Sequence, residues 1–359
     1  MGELRLMKGN EALAEAAIRA GCDAYFGYPI TPQSEVLEYL SREIPNRKNT
    51  NMIILQAESE VAAINMIYGA AGAGKRAMTT SSSPGISLMQ EGLSYIACAE
   101  LPCLLANINR GGPGLGTIQP AQGDYFQSTK GGGHGDYHLI VLAPSSVQET
   151  ADHVRLGFDL ADKYRNPVMI LSDGAIGQMM EKVELPEQIT DLKVDKPWAT
   201  VGKHKNRERN IITSLHINQY EMEAINLRLQ EKYKAIKKNE VRYQSFSIDD
   251  AEYLIVAYGL AARISQKVVE LLREKGIKAG LIRPITLFPF PTDIIRSLSS
   301  KVKGILDVEM NAGQMVEDVR LSVEGRTRVE FYGRMGGVIP TPEEILEYFE
   351  KIFLKGESK

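Results

Sequence analysis

The chain has 359 residues, past the roughly 250 at which one hydrophobic core stops growing, so two α/β domains are expected. Its 42 Lys and Arg against 45 Asp and Glu leave a net charge of −3, which argues against a nucleic-acid surface, and no apolar run approaches the roughly 20 residues of a membrane span. The start carries no apolar signal core, and Cys22, Cys98 and Cys103 lack C-x-x-C spacing. A cytoplasmic protein is expected, with no membrane contact, no disulfide framework and no cluster or metal site of its own.

In chain order, residues 10–20 have helical apolar spacing and stop at Gly21, a left-handed helix terminator. A strand over 23–26 then runs into Gly27-Tyr28-Pro29-Ile30-Thr31-Pro32, a loop by its prolines, with Thr31 or Ser34 available to cap the next helix. Strands follow over 52–55, 77–81, 103–108, 138–142 and 168–171, with an Ala-rich helix over 60–73. Repeated strand–helix units with short Gly/Pro connections predict an α/β fold built on a parallel sheet, whose strand carboxyl ends are the place for ligands. After residue 185 the composition turns polar through 250, including the run 203–209. Within it Met222, Ile225, Leu229, Tyr233 and Ile236 mark one amphipathic helix, and Lys232, Lys234, Lys237 and Lys238 read as its solvated face. Strands over 253–259, 279–283, 304–309 and 329–332 build a second unit. The expected division is 1–185, a connector over 186–250, and 251–359.

Several motifs bear on chemistry. Gly69 to Lys75 imitates a Walker loop, but Arg76 replaces the Ser or Thr and the segment leads from helix to strand, the reverse of what that motif needs. The glycine-rich stretch 109–117 suits a loop that approaches something closely or moves. Arg110 at its base is either an anion anchor, its guanidinium matching a carboxylate, or the partner of a structural acid. His134, in Gly131-Gly-Gly-His-Gly-Asp136, reads as a loop histidine before a proton carrier. Glu58 and Glu60 open the helix after the strand at 52–55, where acids suit the helix dipole unless one is turned into a pocket.

Taken together, Tyr28-Pro-Ile-Thr-Pro32, Glu58-Ser-Glu60-Val-Ala-Ala63, the segment Thr79 to Gly85, and Arg110-Gly-Gly-Pro resemble the pyrimidine-domain subunit of the 2-oxoacid:ferredoxin oxidoreductases. The resemblance covers nearly the whole chain, and the stretches 114–126 and 131–136 most resemble the branched-chain (2-oxoisovalerate) branch, with 2-oxoglutarate second. It implies a thiamine-diphosphate-type pyrimidine domain followed by a smaller transketolase-C-terminal-like domain. It also implies coenzyme A-dependent oxidative decarboxylation of a 2-oxoacid with electrons passed to ferredoxin. Glu60 would hydrogen-bond N1′ of the aminopyrimidine, Tyr28, Pro29 and Ile30 would line the cofactor, Thr31 would hydrogen-bond the substrate's carboxylate or ketone, and Arg110 would pair with that carboxylate. Thiamine enzymes bind magnesium and diphosphate through Gly-Asp-Gly and a later Asn. Here only Ser172-Asp173-Gly174 comes near, with no Asn until Asn206. The implied arrangement is an obligate hetero-oligomer in which a beta-type subunit brings the diphosphate domain, Mg2+ and the iron–sulfur cluster, with small iron–sulfur subunits as further partners. The alternatives are the same reaction on 2-oxoglutarate or pyruvate, a non-redox thiamine decarboxylase, and a stand-alone nucleotide- or anion-binding module using its glycine loops.

Overall fold

The structure is a computed structural model describing residues 2–190, 192, 194–203 and 207–355, so that Asn206 lies outside the described residues. Its first half runs β1 (Glu3–Lys8), α1 (Gly9–Arg19), β2 (Ala24–Gly27), α2 (Ser34–Glu43), β3 (Ile53–Gln56), α3 (Glu60–Gly72), β4 (Ala77–Ser81), α4 (Ser83–Cys98) and β5 (Cys103–Asn109). It continues with β6 (Ile140–Leu142), α5 (Val147–Tyr164), β7 (Pro167–Asp173), α6 (Gly174–Gln178) and β8 (Met180–Leu185). After the connector helix α7 (Gln219–Asn239) come β9 (Tyr243–Phe246), β10 (Tyr253–Ala257), α8 (Gly259–Glu274), β11 (Ala279–Pro284), β12 (Thr286–Phe288) and α9 (Thr292–Ser299). The chain closes with β13 (Gly304–Glu309), α10 (Met315–Val323), β14 (Val329–Gly333) and α11 (Pro342–Phe349).

The larger sheet has seven strands in the order β12-β6-β7-β5-β4-β2-β3. Six are parallel, and β12 joins antiparallel through Thr286 opposite Leu142. Every residue of β4, β5 and β7 is buried, as expected of parallel strands covered by helices on both faces. The chain leaves β2 outward to β3 and returns past it to β4, so the order reverses between β2 and β4. Such a switch point opens a crevice at the carboxyl ends of the strands. A five-stranded sheet, β14-β13-β10-β11-β9, forms the second unit, and β1 pairs only with β8.

Gln122 and Arg283 supply two of the ties that hold the units together. Gln122 is paired entirely with the second unit: its backbone N–H donates to the Met310 carbonyl at 3.0 Å, while its side-chain amide donates to the Tyr258 carbonyl at 2.9 Å and accepts from Met310 N–H at 2.9 Å. Arg283 on β11 meets the Glu149 carboxylate of α5 through both terminal nitrogens, at 2.8 and 2.5 Å. Beside them His153 is buried, and burial, opposed in part by Glu149 and reinforced by Arg283 and Arg242, pushes its imidazole down to about 4.

The amphipathic connector helix is present, with Ile225, Leu229, Tyr233 and Ile236 buried. Its lysines divide, however. Lys234 is solvated beside Glu231, whereas Lys232 is nearly buried, donates to Glu100 and to the Arg165 carbonyl, and is brought down to about 8 by desolvation. Arg76, in the Walker-like segment, is a structural residue bonded to Asp159, Asp162 and the Ala20 carbonyl. Neither Ser34 nor Thr31 caps α2. Gln33 occupies that position without a side-chain cap.

Replacing Glu149 with Ala leaves the Arg283 guanidinium buried without its carboxylate and is expected to cost about 3 kcal/mol in urea unfolding. The unfolded His153, near its usual 6.5, takes a proton before the folded one. Stability is therefore full above about pH 6.5 and falls as pH drops towards 4, and His153→Gln should flatten that slope in a pH series of denaturation midpoints.

Candidate functional site

The crevice is built from the segments that follow β2, β3, β4 and β5. Ser59 is the N-cap of α3, its Oγ accepting from Ala62 N–H at 3.2 Å and donating to the exposed Glu58 at 2.7 Å. Glu58 is thus part of the helix entry, and Glu60, one residue inside the helix, is turned into the protein and only 5% exposed. Its carboxylate lies against the first turn of α4. A Cβ added to Gly85 would stand 2.5 Å from Glu60 Oε1 and 2.1 Å from Ser81 Oγ, so only glycine leaves that carboxylate its place. No described residue hydrogen-bonds to the Glu60 carboxylate. Neither oxygen is among the enclosed atoms that lack a partner, so the carboxylate is open to a donor entering the crevice.

The neighbouring loop is fixed from below. Tyr25 hydroxyl and Thr80 hydroxyl are 2.7 Å apart, Thr80 donates to the Gln33 side-chain carbonyl, and the Gln33 amide donates to the Tyr28 carbonyl at 3.1 Å. This buried chain presents Tyr28, Pro29 and Thr31 outward, all three exposed, with Ile30 half-buried. Sequence reasoning missed Tyr25, Gln33 and Thr80; the signal was the run of five hydroxyl residues, Thr79 to Ser83, in a strand that must be buried.

Arg110 sits where expected, at the end of β5, but its partner is neither a structural acid nor open solvent. It is 8% exposed; Nη1 donates to the Thr31 carbonyl at 2.8 Å, Nη2 to the Leu115 carbonyl at 3.1 Å, and Nε has no partner. Arg110 is therefore a strut between the Thr31 loop and the glycine-rich loop, with two of its five N–H groups spent. That loop is closed by hydrogen bonds from Gly111 N–H to the Gln119 carbonyl and from Thr117 N–H to the Gly111 carbonyl. Gly116, at φ +59, is required there because a Cβ would fall 1.7 Å from the Gly111 oxygen. Gly111 in turn packs on the backbone of Gly336 in the second unit, so the glycines serve close approach. Around the strand ends, Thr79 Oγ1, Ser81 Oγ, Asn107 Oδ1, Asn109 Nδ2 and Ser172 Oγ are buried without partners.

His134 is exposed in its loop, edge-on to Tyr95. Asp173 is the N-cap of α6, accepting from Ala175 and Ile176 N–H at 2.8 and 3.1 Å, and it also accepts from Leu260 at the start of α8. Burial raises it to about 6. Its oxygens are spent on two helix ends, and among the described residues no cluster of three His, Cys, Asp or Glu is placed to hold a metal. No helix among the described residues is long and apolar enough to cross a membrane.

A strand-end crevice with a reserved carboxylate, on a parallel sheet followed by a smaller α/β unit, defines a thiamine-diphosphate-type pyrimidine domain and its companion. The sequence profiles described as "Pyruvate flavodoxin/ferredoxin oxidoreductase, thiamine diP-bdg" and "Pyruvate:ferredoxin oxidoreductase core domain II" match residues 15–246 and 251–345, and the chain belongs to this 2-oxoacid oxidoreductase family. It is 51% identical to the ketoisovalerate oxidoreductase subunit VorB of Methanothermobacter thermautotrophicus over 97% of both chains, and 49% identical to its counterpart in Methanothermobacter marburgensis over 99% of both. It also superposes with a TM-score of 0.87, at 26% identity, on the 2-oxoglutarate:ferredoxin oxidoreductase of Magnetococcus marinus, solved with 2-oxoglutarate, coenzyme A and succinyl-CoA bound. That match covers 98% of this chain and 65% of the other.

Gly85→Ala should displace the Glu60 carboxylate without unfolding the chain. Thiamine diphosphate titrated into the assembled protein is expected to bind at least tenfold more weakly, with the thermal midpoint changed little.

Proposed function

We propose that the chain is the pyrimidine-side subunit of a coenzyme A-dependent 2-oxoacid:ferredoxin oxidoreductase acting on a branched-chain substrate, 3-methyl-2-oxobutanoate, in the cytoplasm. The observation that carries this reading is the buried, donorless Glu60 carboxylate at the switch-point crevice. The near-full-length likeness to two ketoisovalerate oxidoreductase subunits supports the branched-chain assignment. In this reading residues 1–185 form the pyrimidine domain, 186–250 the connector and 251–359 the transketolase-C-terminal-like domain.

The residues present fit thiamine diphosphate. Glu60 would accept a hydrogen bond from the aminopyrimidine N1′, in a cradle that a Cβ at Gly85 would fill, and Tyr28, Pro29 and Ile30 would flank the ring. When bound, the cofactor supplies the carbon nucleophile and the electron sink that decarboxylation of a 2-oxoacid needs. The chain's own work would be to hold a negative charge at the ring nitrogen, which shifts the proton balance of the amino group at the far side of the ring. Thr31 would hold the substrate's carboxylate or ketone, and the terminal N–H groups that Arg110 has left would pair with that carboxylate; the strut role of Arg110 fixes the loop on which Thr31 stands. The diphosphate, Mg2+ and iron–sulfur cluster fall to a beta-type subunit and small iron–sulfur subunits. Asp173 is capped into the fold and offers no metal ligand, which supports that division of labour.

Glu60→Gln keeps shape and loses charge, so the complex should assemble while turnover falls by at least a hundredfold; Glu58→Gln should behave as wild type. Normal turnover in the first and a dead enzyme in the second would reverse the assignment. With the reconstituted complex, ferredoxin reduction should be at least tenfold faster, as kcat/KM, on 2-oxoisovalerate than on pyruvate or 2-oxoglutarate. A preference for 2-oxoglutarate would move the chain to that branch, and ferredoxin-independent decarboxylation would point to a non-redox enzyme. Arg110→Lys should raise KM more than it lowers kcat, because a point charge replaces a fork.

A further inference from the structure

A cavity lies at the opposite edge of the seven-stranded sheet from Glu60, beside the amino end of β6 and not at the strand carboxyl ends. It holds about 800 Å3, within the range of small-molecule pockets, and is walled by the end of α7, the β12–α9 loop and the segment around Lys130. One side is apolar: Val241, Leu287, Phe288, Phe290, Pro291 and Ile294. Phe288 is covered on one face by the His138 ring, stacked at 4.3 Å, and Lys237 lies over it at 5.6 Å.

The other side is cationic. Of the charged groups lining the cavity, Asp318 is satisfied by the Tyr125 hydroxyl at 2.5 Å and by Lys130, and Asp293 by Arg296 at 3.3 Å. Lys237 and Lys238 have no carboxylate partner among the described residues; both are exposed, and both line the cavity. His138 Nδ1 is buried without a partner. Burial first, then Lys237 and Lys130, hold that imidazole below its usual range, against the Thr129 backbone and Asp136. The first turn of α9, which contributes Thr292, Asp293 and Ile294 to the lining, has no side-chain cap. Lysines act as point charges suited to a tetrahedral oxyanion, and no arginine lines the cavity to offer the planar fork that selects a carboxylate.

We propose that this cavity is a second ligand site of the chain, taking a phosphate ester with an apolar or aromatic body, the phosphate on Lys237 and Lys238 and the body on Phe290 and Val241. The inference stands on this cavity alone and does not depend on the role given to Glu60.

Isothermal titration of the full chain with adenosine 5′-monophosphate, inorganic phosphate and adenosine tests it. Adenosine 5′-monophosphate should bind saturably and at least tenfold more tightly than either fragment. The double variant Lys237→Ala/Lys238→Ala should weaken it tenfold or more, and Phe290→Ala should weaken it while leaving inorganic phosphate unchanged. Lys234→Ala, on the same helix but outside the cavity, should change nothing. No saturable binding, adenosine binding as well as its phosphate, or wild-type binding by the double variant would overturn the proposal. Equal affinity for inorganic phosphate would remove the ester from it.

Discussion

Glu60 sets the terms for the rest of the crevice. A carboxylate one residue into a helix is ordinarily solvated and helped by the helix dipole, yet here it is folded against another helix and receives no hydrogen bond. In the proposed function its donor is the ring nitrogen of the cofactor. Its neighbours follow from that constraint. Residue 85 is a glycine because a methyl would occupy the carboxylate's place, and Ser81, crowding the same point, is itself without a partner. The Tyr25–Thr80–Gln33 chain and the Arg110 strut then stiffen the two loops on either side, so the unsatisfied group faces a shaped opening and not a collapsed one.

The second unit is part of this arrangement. Gln122 ties the segment after the glycine-rich loop to Met310 and Tyr258, Gly111 rests on Gly336, and Asp173 caps helices from both units at once. Residues 286–288 even complete the first sheet. The loops that frame the crevice are therefore held from two sides, and each tie is a hydrogen bond or a backbone contact that tolerates little change in relative position.

Much of this architecture is legible in the sequence because buried parallel strands are short apolar runs: residues 77–81 and 304–309 are strands with the bounds that their composition marks. What is hidden is non-local. The β1–β8 ribbon joins segments some 175 positions apart, and β12 is three residues long and pairs across units, so neither leaves a periodic trace. At the site, the choice between Glu58 and Glu60 is open from residue types alone. It is closed by Ser59, which caps the helix and so fixes which acid faces inward. The Arg110 position is legible but not its partners, because backbone carbonyls carry no sequence signal. Lys232 illustrates the same limit: its spacing matches that of a solvated residue, and only Glu100, on a distant turn, draws it under cover.

The central claim is that Glu60 reserves its charge for one ring nitrogen of the cofactor. The most direct measurement is ferredoxin-linked turnover of the reconstituted complex with thiamine diphosphate analogues in which a C–H replaces either N1′ or N3′ of the pyrimidine ring. The account predicts that the N3′-replaced analogue supports substantial turnover and the N1′-replaced one essentially none, both remaining able to bind. Equal activity with the two, or activity only with the N1′-replaced ring, would contradict it.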